Sequence, residues 1–265
     1  MDALRAGSTA VRLRIGTAGW SIPRDVSDAV PGEGTHLQRY AGMLAAADIN
    51  SSFHRPHRAS TYARWAASVP PPFRFSVKLP KTITHQHKLV GYGDLLGRFA
   101  DEVAGLGSNR GPTLVQLPPS LAFEPAVAGA FFTELAGRLG PAIVCEPRHP
   151  SWFEEAAERL LRDHAVARVA ADPAVHPRAA EPGGWAGLAY FRLHGSPVIY
   201  RSSYDAVAIA RLQDAMAAAG SNAAECWTIF DNTASGAALP NALQLIGSFE
   251  TEKDRVDGLW RNHLG

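Results

Sequence analysis

The sequence predicts an α/β protein built as one (β/α)8 barrel, in a single domain covering residues 1–265. Three observations carry this. Short apolar runs with period-two alternation recur eight times along the chain. Longer helical patterns separate them, and such alternation argues for parallel βα units. Eight units in 265 residues fit one closed barrel, with a doubly wound open sheet as the alternative.

The first strand is RLRIGT (12–17), with a helix in HLQRYAGMLA. ADINSS (47–52) is the second strand, before a helix around TYARWAASV. RFSVKL (74–79) is the third: Phe75, Val77 and Leu79 alternate with Arg74, Ser76 and Lys78, and Pro80 stops it. A loop with Lys81, His85, His87 and Lys88 leads to a helix in DLLGRFADEVAGL. TLVQL (113–117) and AIVCEPR (142–148) are the fourth and fifth strands, with helices in EPAVAGAFFTELAGRL and FEEAAERLLRDH. ARVAAD (167–172) is the sixth. The segment after it, PAVHPRAAEPGGWAG, holds too much proline and glycine for a helix. LAYFRLH (188–194) and CWTIFDN (226–232) complete the eight, with helices in YDAVAIARLQDAMAAAG and GAALPNALQLIGSF, where Pro240 falls early.

Composition narrows the function. With 46% hydrophobic and 19% charged residues there is material for a large core. A net charge of +1 excludes bulk attraction to nucleic acid or membrane, so any electrostatic preference is local. The N-terminal stretch lacks the apolar core of a signal peptide, and no run reaches the ~18 apolar residues of a membrane span. The expectation is a cytoplasmic protein without membrane contact. Cys145 and Cys226 sit in apolar runs and read as small buried hydrophobes.

The strand ends share one feature. In each strand one alternation set is apolar, and the other turns polar near the C-terminal end. Val144, Glu146 and Arg148 share a face of the fifth strand, and Tyr190, Arg192 and His194 a face of the seventh. Ser76 and Lys78, and Asp48 and Asn50, do the same in the third and second. Gln116, Asp172 and Asn232 hold comparable places in the fourth, sixth and eighth. In a barrel the apolar set packs under the helices, so the polar set points into the lumen and rings its mouth. Barrel enzymes place their chemistry there. Any one of these residues alone reads as a structural ion pair or cap. Together they imply a site, because isolated buried charges are costly and a core needs few.

The motifs IGTAGW, INSSFHRP, TYARWAASVPPPFRFSVKLPKTITH, VQLPPS, EPRHPSW and FRLHG, in this order, resemble the YecE-like family, domain of unknown function 72. The resemblance runs from about Ile15 to about Leu245. It implies a TIM-type barrel and no established reaction. The family's frequent E-x-N-S-x-F-Y reads here as Asp48, Asn50, Ser51, Phe53 and His54, so its Glu and Tyr are replaced. Its E-F-R-H-P-S-W reads as Glu146 to Trp152, and its late F-N-N-D-type segment as Phe230, Asp231, Asn232 and Thr233.

Three chemistries compete. In the first, an enzyme acts on a phosphorylated or otherwise anionic small substrate. Lys78, Arg148 and Arg192 hold the anion, Glu146 is the general acid or base, and His194 or His85 is its partner. Asn50, Gln116, Asp172, Asn232 and Trp20 complete the binding surface, Trp20 as a stacking ring. No cofactor is expected on this reading. The second is a metal-assisted hydrolase or isomerase with Asp48, Glu146, Asp172, His85 and His194 as ligand types, opposed by the three cations. The third is a non-catalytic binder of a small anion or nucleic acid, which the charge of +1 disfavours as a large footprint.

Overall fold

A computed structural model describes residues 11–253. Its strands are β1 (Arg12–Ala18), β2 (Ala46–Ile49), β3 (Arg74–Lys78), β4 (Arg110–Gln116) and β5 (Ile143–Glu146). They continue with β6 (Val166–Arg168), β7 (Ala170–Asp172), β8 (Gly183–Gly184), β9 (Leu188–Leu193) and β10 (Glu225–Phe230). The α-helices are α1 (His36–Ala41), α2 (Ala59–Ala67), α3 (Asp94–Val103), α4 (Pro125–Leu139), α5 (Glu155–Asp163), α6 (Ala206–Gly220) and α7 (Ala238–Lys253).

The ten strands form one mixed sheet, ordered β7-β9-β10-β1-β2-β3-β4-β5-β6-β8. It nearly closes on itself. All its pairings are parallel except β6 with β8. The expected sixth strand is divided at Val169. Its first half, β6, pairs with β5, and its second half, β7, pairs with β9. Val169 itself stays bonded, donating to the Cys145 carbonyl at 2.8 Å. The division has a visible cause. Gly183 and Gly184 pair along the free side of β6, which is the edge that β9 would otherwise use. The Pro/Gly-rich segment thus forms this short strand and a 3-10 turn at Pro177–Ala180 in place of a helix.

The second strand is shorter than expected. Ser52 lies where the sequence continues the strand, yet its hydroxyl donates to the carbonyls of Ile49 (2.7 Å) and Lys78 (2.6 Å). A side chain that bonds nearby backbone competes with the ladder, and residues Asn50–Phe53 turn into a 3-10 helix.

Apolar packing splits into two cores, as the alternation requires. The larger lies between sheet and helices and includes Ile49, Phe75, Val115, Cys145, Phe191, Phe132 and Leu245. The smaller fills the lumen with Ala46, Leu114, Val144, Ala167, Tyr190, Trp227 and Ile229. Trp227 closes the N-terminal end of the lumen, stacked on Tyr190 at 6.0 Å with its Nε1 donating to Glu225 at 3.0 Å. Gly111 makes room for it, since a Cβ there would stand 2.6 Å from the indole. No helix among the described residues is long and apolar enough to cross a membrane.

Because the lumen is packed around this indole, Trp227→Ala should cost about 3–5 kcal/mol, the range for truncating a large buried aromatic. Urea denaturation with an unchanged m-value measures it. A loss under about 1 kcal/mol would mean the lumen is not held by side-chain filling.

Candidate functional site

Arg192 comes from β9 and is completely buried in the lumen. Register places it: Arg192 pairs with Ile229, and Tyr190 with Trp227, so both point inward with the lumen set. Its Nη2 lies 3.2 Å from Asp48 Oδ2 and 3.1 Å from Asp231 Oδ2, and its Nη1 donates to Glu146 Oε2 at 3.2 Å. One guanidinium therefore joins carboxylates from the ends of β2, β5 and β10. Asn50 Oδ1 accepts from the same Nη2 at 3.4 Å.

Glu146 is saturated. Its Oε1 accepts from Gln116 Nε2 (3.0 Å), Arg148 Nη2 (2.6 Å) and His194 Nε2 (2.9 Å). Burial favours its neutral acid, but His194, Arg192 and Arg148 hold its pKa well below the usual carboxylate range. The other nitrogen of His194, Nδ1, lies 3.0 Å from Asp231 Oδ2. Both ring nitrogens thus face carboxylates, which requires a proton on each. Burial alone would discharge this ring. Glu146 and Asp231 outweigh burial and raise its pKa. Burial also opposes ionisation of Asp231, yet Arg192 and His194 lower its pKa. At Asp48 burial wins over Arg192 and the Ser76 hydroxyl, which donates to it at 2.7 Å, and its pKa is raised.

Lys78 differs from the rest. It is only 5% exposed, yet among the described residues its ammonium has no hydrogen bond or ion pair within 4.0 Å. It rests 4.0 Å above the Phe53 ring instead. Burial and the nearby Arg192 charge lower its pKa to about 8, against Glu146, Asp48 and Asp231. His85 packs edge-on against the same Phe53 ring at 5.0 Å, and its Nδ1 is 2.8 Å from the Thr84 hydroxyl. Burial, Lys78, Arg148 and Lys81 lower its pKa, so it is a neutral imidazole at pH 7. Arg148 and Arg192 each keep a buried Nε without an acceptor. Tyr200, 45% exposed, stands edge-on over His194 at 5.8 Å.

Of the residues expected at the mouth, Lys78, Glu146, Arg148, Arg192, His194, Asn50 and Gln116 come together, with His85 at the rim beside Phe53. Three do not. Asp172 accepts from the Tyr204 hydroxyl at 2.6 Å and pairs in register with Leu193, on the helix side. Asn232 donates to Asn241 Oδ1 (2.9 Å) and the Ser202 carbonyl (2.9 Å), also outside the lumen. Each is one step out of phase with its strand's inward set. Counting by twos from Ile229 reaches Asp231, the carboxylate missed at this position. Trp20 packs on Trp65 (5.1 Å) and Phe75 (5.8 Å) in the outer core and does not face the ring. Tyr200 lies in a loop whose path no strand periodicity reveals. Among the described residues no group of three or more His, Cys, Asp or Glu side chains is arranged to hold a metal ion.

An open cleft of about 440 Å³ lies apart from this chemistry, between residues 89–93 and α4. Its carboxylate, Glu134, is engaged by Tyr92 (2.6 Å) and Arg138 (3.0 Å).

Fold and site together define a barrel-like α/β protein with a buried ring of charge at the C-terminal ends of its strands. The chain belongs to the family described as protein of unknown function DUF72, whose model matches residues 14–263. It is 30% identical over 168 residues to the UPF0759 protein YecE of Escherichia coli K12, a match covering 60% of this chain. The YecE protein of E. coli O157:H7 is 29% identical over the same length. The chain spans 59% of the length of each of these relatives. A DUF72 family protein from Thermotoga maritima MSB8 has a similar structure, with TM-score 0.74 and 22% identity over 90% of this chain and 99% of that one. One from Enterococcus faecalis V583 gives TM-score 0.73 and 21% identity over 90% and 95%. At these identities the two structures bear on the fold.

The His194 pKa is raised on folding, so its contribution to stability is complete below about pH 6.5 and is lost as pH rises through the folded value. Wild-type stability should therefore fall above pH 6.5, and His194→Gln should remove that fall. The variant should also be less stable at pH 6, by less than the ~3–5 kcal/mol of a fully stranded charge, since Glu146 and Asp231 each lose one cationic partner and keep Arg192. Urea denaturation of both proteins from pH 6 to 8 checks this.

Lys78 has the opposite sign. Its folded pKa of about 8 lies below the unfolded value, so its charge weakens the fold at pH 7. That penalty is relieved as pH rises from about 8 to about 10.4. Lys78→Met should be neutral to stabilising by up to about 3 kcal/mol at pH 7, with the advantage gone near pH 10.4. A loss of about 3–5 kcal/mol at pH 7 in the same denaturation series would instead make Lys78 a structural partner of the carboxylates.

Proposed function

We propose that this protein is an enzyme that acts by acid/base chemistry on a phosphorylated or otherwise anionic small molecule, bound at the C-terminal mouth of the sheet. The observation that carries the reading is twofold: Lys78, only 5% exposed, has an ammonium without hydrogen bond or ion pair among the described residues, and Arg148 at the same mouth has a buried Nε without an acceptor. Buried donors without acceptors are costly. An anion would satisfy both, Lys78 as a point charge and Arg148 through its fork.

The roles divide by access. Glu146, His194, Asp231 and Arg192 spend their polar atoms on one another and form the frame. Glu146 with four donors is a weak base, and the His194 protons are sealed between two carboxylates. Proton transfer then falls to Lys78 and neutral His85, whose pKa values are both lowered, that of Lys78 to about 8. Arg148 and Asn50 orient the substrate, and Tyr200 covers it. The scaffold itself reads as a (β/α)8 barrel whose sixth strand is divided. Its support is that β6 and β7 bond to the two neighbours such a strand would have.

Thermal unfolding in sodium phosphate against sodium chloride at matched ionic strength tests the reading. Phosphate 100-fold above its Kd should stabilise by about 2.7 kcal/mol, and the gain should vanish in Lys78→Met. Equal stability in the two salts, or an equal gain in the variant, would overturn it. Tight binding of an oligonucleotide with a steep salt dependence would point to a nucleic-acid binder instead.

A further inference from the structure

The anion-site reading extends to the chemistry of the bound molecule. We propose that the anionic substrate carries an aldehyde or ketone carbonyl, and that the Lys78 amine attacks it to form an imine.

The argument rests on where lysine stands. Of the 26 lysines and arginines in the chain, only four are lysines: Lys78, Lys81, Lys88 and Lys253. The buried cations around the lumen, Arg14 and Arg192, and the mouth's Arg148 are arginines. An arginine holds an anion at least as well as a lysine but stays charged. A lysine supplies what arginine cannot, a free amine. Lys78 has the surroundings that release one. It lies on an aromatic face in a residue only 5% exposed, with a like charge from Arg192 and no carboxylate within 4.0 Å. Lys81 and Lys88, by contrast, are exposed at either side of the π-helical turn Thr82–Gln86 that follows.

The step balances without an outside oxidant or reductant. The amine lone pair forms a C–N bond to the carbonyl carbon, and the C=O π pair moves to oxygen. His85, against the same Phe53 ring, accepts the proton that the nitrogen sheds. It passes that proton to the alkoxide, which gives the carbinolamine. The nitrogen lone pair then makes C=N as the C–O bond breaks, and His85 carries the second nitrogen proton to the departing oxygen. The products are imine and water. A protonated imine draws electrons from the adjacent carbon, so loss of an α proton or cleavage of a C–C bond follows.

Wild-type protein is incubated at pH 7.5 with glycolaldehyde phosphate and sodium cyanoborohydride, which reduces an imine to a stable secondary amine. Peptide mass mapping then gives the rate at each lysine. Lys78 should be modified at least about tenfold faster than Lys81 or Lys88, because more of its amine is unprotonated. Inorganic phosphate should slow it, and glycolaldehyde itself should react more slowly. In Lys78→Arg the fast phase should disappear while Lys81 and Lys88 react as before. Modification of Lys81 or Lys88 as fast as Lys78 would overturn the imine. Phosphate stabilisation without reaction at Lys78 would likewise end it while leaving the anion site standing. Fast reaction at Lys78 that is indifferent to phosphate, on both the aldehyde and the competitor, would keep the amine and end the anion site.

Discussion

The guanidinium of Arg192 bridging Asp48, Glu146 and Asp231 is the contact on which the rest of the mouth depends. Four strands from distant parts of the sequence end on one planar group. None of its charges is affordable alone, since an unpaired ion in a dry interior costs several kcal/mol. Together they neutralise one another and leave few polar atoms open. The sheet below supplies the rigidity, with Tyr190, Leu114, Val144 and Ile229 filling the lumen under the ring.

This frame explains why the polar residues are unequal. Gln116, Arg148, His194 and Arg192 all donate to Glu146, so that carboxylate is fixed as an anion and as an anchor. The same contacts raise the His194 pKa and favour its charged form against burial. Groups locked in this way position others. What remains adjustable lies on the β3 side, where Phe53 carries both the Lys78 ammonium and the His85 ring. The two basic groups whose pKa values are lowered there sit on one aromatic platform, opposite the groups whose charges are held.

The sequence made the ring visible through parity. Alternation of two marks Tyr190, Arg192 and His194 as one face, and Val144 with Glu146 as another, and the register agrees. Parity misled where polar residues crowd a strand end. DN at 231–232 offers two candidates, and only the inward set beginning at Trp227 and Ile229 selects Asp231. Asp172 fails for the same reason: Ala167 and Val169 face the lumen, so the inward set continues to Ala171, opposite Arg192, and Asp172 falls on the helix side with Leu193. Trp20 was judged by its place after the first strand, yet the next turn folds it onto Trp65 and Phe75.

Local sequence determined the βα alternation, the missing helix after the sixth strand, the two-sided strands and most of the ionisable residues at the mouth. These follow from side-chain period and from the backbone limits of proline and glycine, which act within a few residues. Tertiary structure decided the division of the sixth strand, where Gly183 and Gly184 occupy an edge of β6. It also decided which charges are spent and which are free. Lys78 and Arg192 look alike along the chain. One is enclosed by three carboxylates and the other lies on a phenyl ring, a difference set by residues 25 or more positions away from each, which sequence period does not reach.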